Sequence, residues 1–136
     1  MGVAGFDHVA LPAADPEALI AFYGNLGFRV PEIEAWRDSE LPFFSIHFGD
    51  QKINFHAAAL WRRREFTLRG TTALPGCGDL CFVWSGGAEA LAKSLAEAGA
   101  EIVAGPMDMQ GARGAGTSTY VRDPDQNLVE FIVYPD

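Results

Sequence analysis

Two stretches of the chain repeat apolar residues with a helical period. In the first, Leu19, Phe22, Tyr23 and Leu26 fall at i, i+3, i+4 and i+7, one face of a helix. Asp15-Pro16-Glu17 opens it with a capping acceptor, a proline where no N–H is needed and a negative charge in the first turn. Gly27 closes it. The second opens near Gly87, repeats the face with Ala88, Leu91, Ala92, Leu95 and Ala98, and closes at Gly99.

The two segments are copies. Glu17-Ala18-Leu19 recurs as Glu89-Ala90-Leu91 and Gly27 as Gly99, both 72 residues on. Strands are expected before each helix (7–11 and 79–84) and after each (28–30 and 101–103). Two more follow in each half: 43–48 and 52–57, then 117–122 and 128–134. Each half therefore reads β-α-β-β-β. The expected architecture is α+β: two βαβββ repeats forming a curled mixed-sheet cup, with helices on the outer face. Module one covers about 4–60, a linker about 61–76 and module two about 77–135, all within one domain. A second long loop is expected over 105–116, which carries four glycines.

Strand alternation then sorts the polar side chains. His8 shares a face with Phe6 and Ala10, His56 with Lys52 and Asn54, Asp79 with Cys81 and Val83, and Glu130 with Leu128 and Ile132. His8 corresponds to Asp79 by its place before the helix. His56 is matched to Glu130 by its place after Asp50-Gln51 and Asp125-Gln126, with a one-residue slip. Two imidazoles and two carboxylates at repeat-related positions suit one divalent ion: zinc, nickel, cobalt, manganese or ferrous iron. A solitary strand histidine is more often structural, and His47 is read that way.

Composition narrows the partners. The chain has 136 residues and a net charge of −8, with one basic run, Arg62-Arg63-Arg64, followed by Glu65. A nucleic-acid partner is not expected. No apolar run reaches the ~18 residues of a membrane span, and Met1–Phe6 lacks the features of a signal peptide. Cys77 and Cys81, four apart, are not a C-x-x-C pair and read as free thiols of a cytoplasmic protein.

Asp7-His8-Val9-Ala10-Leu11, Asp15, Ala21-Phe22-Tyr23 and Leu26-Gly27-Phe28 together resemble the opening of the vicinal-oxygen-chelate superfamily. Arg122-Asp123-Pro124-Asp125-Gln126-Asn127-Leu128-Val129-Glu130 resembles its close. That superfamily includes glyoxalase I, extradiol dioxygenases, fosfomycin-resistance enzymes and bleomycin-resistance proteins. The middle, from Gly49 to His56 and from Asp79 to Phe82, is similar to the glyoxalase-domain-5 and virulence-associated branch. The resemblance implies His8 and Glu130 as first and last metal ligands, with His56 and Asp79 exchanged in type relative to bacterial glyoxalase I. Pro12 and Leu60 stand where glyoxalase I carries its glutathione-binding Arg and Asn.

The resemblance implies a metal-dependent enzyme acting on a small carbonyl or vicinal-oxygen substrate through an enediolate or similar oxyanion. Glu130 would be the catalytic base. Arg113 and Arg122 are candidates to hold a substrate carboxylate or phosphate, and Trp84, with Trp36, to line the cup. It also implies a homodimer. The alternative is a ligand-sequestering protein of the bleomycin-resistance type, with no metal and no catalysis.

Overall fold

The computed structural model, residues 1–136, has a helix at each apolar repeat and divides into two units, Met1–Pro75 and Gly76–Asp136. Each is a mixed sheet with helices, so the class is α+β.

In the first unit, strand β1 (His8–Pro12) leads to helix α1 (Pro16–Asn25). The Asp15 carboxylate accepts from the Ala18 N–H at 3.3 Å, and Gly27 takes the positive φ of a helix stop. Helix α2 (Ile33–Arg37), strands β2 (Phe43–Phe48) and β3 (Gln51–His56), and the short helix α3 (Ala58–Trp61) follow. The sheet order is β1-β3-β2, with β1 parallel and β2 antiparallel to β3. Leu19, Tyr23, Ile46, Ile53 and Phe55 are fully buried, and the Tyr23 ring lies 5.9 Å from that of Phe55. Strand parity therefore leaves His8, Ala10, Lys52, Asn54, His56, Ser45 and His47 on the face away from α1.

The strand expected over 28–30 is a single bridge, Arg29 to His47. Pro31 has no N–H to extend the ladder, and Glu32 turns the chain left-handed at φ 59°. The expected linker begins as α3, whose Trp61 indole donates to the Ala13 carbonyl at 2.9 Å.

The second unit comprises β4 (Asp79–Val83), α4 (Ala88–Glu97), β5 (Ile102–Gly111), β6 (Gly114–Arg122) and β7 (Leu128–Val133), in sheet order β4-β7-β6-β5. Leu91 and Leu95 of α4 are buried, as are Phe82, Val121, Val129 and Phe131 of the sheet. The loop expected over 105–116 is instead a hairpin paired down to Gly111–Gly114. Its glycines serve packing: a Cβ on Gly116 would stand 2.7 Å from Ile132 Cγ1, and one on Gly111 would collide with the Tyr134 hydroxyl.

The turn at 123–127 is a buried clasp. Asp123 accepts from the N–H of Asp125 (2.9 Å), the N–H of Asn127 (3.0 Å) and the Asn127 side-chain amide (2.8 Å). Asn127 Oδ1 accepts from the Gly78 N–H at 2.7 Å. This part of the closing motif sets the start of β7 beside the start of β4.

Candidate functional site

The sheet face of the second unit opposite Phe82 and Phe131 gathers the carboxylates. Register places Cys81, Glu130 and Tyr120 side by side across β4, β7 and β6. Asp79 lies two residues earlier on β4, and Ser118 two residues earlier on β6. Ser118 donates to Glu130 Oε2 at 2.5 Å. Tyr120 and Cys81 are the register neighbours of Glu130 on either side. Desolvation, then the charge and hydrogen bond of Glu130 and the charge of Asp79, push the Cys81 thiol up to about 12. Cys81 keeps solvent access, so the carboxylates weigh more in our reading than burial does. Tyr120 is raised by desolvation and then by Glu130. Both groups stay protonated. No ion pair of the chain involves Asp79 or Glu130. Glu130 is thus a half-buried carboxylate that accepts from Ser118, with a second carboxylate on the same face.

In the first unit, His8 Nδ1 lies 2.6 Å from Asp7 Oδ1. An ionised carboxylate only accepts, so Nδ1 carries the proton and Nε2 presents its lone pair elsewhere. A carboxylate behind an imidazole is the usual support for a metal-binding histidine.

The same register separates the two histidines. His8 sits beside Lys52, whereas His56 sits beside Pro12, four residues further along. At ~3.3 Å per residue that sets their Cα atoms about 13 Å apart along the strands. His56 instead packs against Phe66, with ring centroids 5.4 Å apart, and burial lowers its pKa.

The matching of His56 to Glu130 is corrected accordingly. Ala10–Asn54–Ser45 in the first unit occupies the row of Cys81–Glu130–Tyr120 in the second. The counterpart of Glu130 is therefore Asn54, whose Oδ1 accepts from Ser45 Oγ at 2.7 Å. His56 corresponds to Ile132. The error arose at the turns: Gly49-Asp50 links β2 to β3 tightly, while the clasp around Asp123 holds more residues before β7. The displacement is two positions, so the expected face was right and the position along it was not.

Of the remaining candidates, Arg122 stands one row from Glu130 on the same face. Arg113 is in the β5–β6 turn, its guanidinium 5.7 Å from the Tyr134 ring. Arg122 donates to the Gln126 carbonyl at 3.2 Å. Trp84 packs edge-on against Phe131, on the face covered by α4, so strand parity turns it away from Glu130. Trp36 packs on Phe44 in the same manner. Ser118, Tyr120 and Asn54 went unnoticed among the expected site residues, although their alternation with Thr119, Val121, Ile53 and Phe55 was visible.

The chain gathers no group of three or more His, Cys, Asp or Glu side chains that could hold a metal ion.

The profile of the Glyoxalase/Bleomycin resistance protein/Dioxygenase superfamily matches residues 5–131. The chain is 36% identical over 136 residues to the glyoxalase domain-containing protein RDO1 of Mycosarcoma maydis, covering all of this chain (100%) and 72% of that one. It is 36% identical over 129 residues to the virulence protein STM3117 of Salmonella typhimurium, covering 94% and 83%. The crystal structure of STM3117 superposes with a TM-score of 0.83 at 34% identity over 99% and 100% of the chains. An integron cassette protein of V. cholerae gives 0.83 at 32% identity over 99% and 98%. The chain belongs to the Glyoxalase/Bleomycin resistance protein/Dioxygenase superfamily, as a relative of its virulence-associated branch.

Proposed function

We propose that the protein is a divalent-metal-dependent, glyoxalase-like enzyme acting on a small carbonyl or vicinal-oxygen compound. The observation that carries this reading is Glu130: a half-buried carboxylate that accepts from Ser118, stands between Cys81 and Tyr120, has Asp79 on the same face and makes no ion pair.

His8, Asp79 and Glu130 are the ligands that the superfamily resemblance assigns, and His56, packed on Phe66, is left out of the set. A larger share of carboxylates favours a harder ion such as manganese. A bound ion supplies Lewis-acid polarisation of the substrate's oxygens.

The chain's own residues do the rest. Asp7 fixes the tautomer of His8. Ser118 holds the Glu130 carboxylate in one orientation, and Glu130 takes the proton from the substrate. The test is a turnover screen on the metal-loaded protein with α-ketoaldehyde–thiol adducts, epoxides and catechols. Glu130→Gln should lower any activity found by roughly 10²-fold or more, the scale for loss of a general base. Near-normal turnover in that variant would remove Glu130 from the role. Ligand binding with no turnover and no bound metal would favour a sequestering protein.

A further inference from the structure

The first unit carries a feature that the proposed chemistry uses only at His8. One cross-strand row on its exposed face is entirely basic: His8 on β1 pairs with Lys52 on β3, Lys52 with His47 on β2, and His47 with the bridged Arg29. Partners in register point to the same side of a sheet, so four basic side chains stand in line. The corresponding row of the second unit is Asp79, Leu128 and Arg122. Lys52 and Arg29 stand on either side of His47 in this row, two cations in a chain that is otherwise acidic, at −8.

Lys52 is the centre of the row. The chain has two lysines, and Lys93 pairs with Glu97 across one helical turn. Lys52 is half-buried in the middle strand and makes no ion pair. Its charge is felt next door: His47 is pushed down by burial, then by Lys52, then by Arg29, with Glu32 opposing. Arg29 is partly committed, donating to the Gly49 carbonyl at 2.7 Å. His8 is taken up by Asp7 at Nδ1 and is assigned to the metal, so Lys52, His47 and Arg29 are the part of the row open to another ligand.

We propose that this row is an oxyanion-binding strip, with Lys52 as its anchor, that takes the carboxylate or phosphate of a small anionic ligand. Lys52 replaces Arg113 and Arg122 in this role, since those guanidiniums are engaged by Tyr134 and the Gln126 carbonyl. As a statement about substrate it rests on the enzyme reading and narrows it to carbonyl or hydroxy compounds that carry an acid group. Anion binding itself requires neither metal nor turnover.

The test is a titration of the purified, uniformly ¹⁵N-labelled protein with sodium phosphate and, separately, sodium acetate at constant ionic strength, followed through backbone amide shifts. At least one anion should give saturable shifts centred on residues 29, 47 and 52. Lys52→Met should weaken that binding about tenfold or more, and Lys52→Arg should retain it within a few-fold. Arg122→Met should leave it unchanged. Absence of saturable shifts with both anions, or equal affinity in Lys52→Met, would overturn the proposal. Because no turnover is read, failure of the enzyme reading would leave this result standing.

Discussion

At the scale of single residues, the alternation of side chains on strands was legible and their exact pairing was not. His8, Asp79 and Glu130 lie on the faces expected of them, because parity survives small errors in alignment. His56 does not match Glu130, because register depends on how many residues each turn holds, and the clasp around Asp123 is a three-dimensional object. His56 leads to a prediction about pH. Burial lowers its pKa from the ordinary 6.5, so the folded chain favours the neutral ring. Its contribution to stability is present above 6.5 and is lost as pH falls from there toward the depressed value. His56→Leu should reduce the pH dependence of the urea midpoint between about pH 7 and 5. His47, shifted in the same direction, keeps the dependence from vanishing. An unaltered slope in the variant would remove His56 as a source of it.

At the scale of elements, both long helices were legible because period, cap and stop agree at each. The hairpin of β5 and β6 was not. Glycine is ordinarily a loop signal, and here Gly111 and Gly116 are strand residues crossed by the side chains of Tyr134 and Ile132. A pair of substitutions separates the two uses of glycine. Gly116→Ala should destabilise the fold by about 1–3 kcal/mol through overpacking. Gly24→Ala, in α1 with nothing within 4 Å of the added Cβ, should stabilise it by about 0.5–1 kcal/mol. Urea unfolding of both variants measures the contrast, and equal effects would contradict it. The ion pair joining α2 to α1 offers a second check. Two 2.8 Å hydrogen bonds from Arg37 hold the Glu17 carboxyl below its ordinary 4.5. In Arg37→Ala, a carboxyl titration by NMR should find Glu17 higher. In the native chain that small contribution is present above 4.5 and fades as pH falls below it.

At the scale of the whole molecule, the sequence conveyed class and repeat but not how many ligands each unit would contribute. No helix is long and apolar enough to cross a membrane. Val103, Met107 and Met109 are exposed on β5, an edge strand of the second sheet. With two-fold pairing the commonest assembly of soluble chains, a homodimer is the expected state. Light scattering should give about twice 14.7 kDa, and the single-chain mass at micromolar concentration would contradict it. The central claim is the metal site. Elemental analysis of the purified native protein should find about one divalent ion per 14.7 kDa chain, with occupancy falling sharply in His8→Ala and Glu130→Ala and persisting in His56→Ala. A native protein that neither carries nor takes up a divalent ion, or full occupancy in both His8→Ala and Glu130→Ala, would contradict the account.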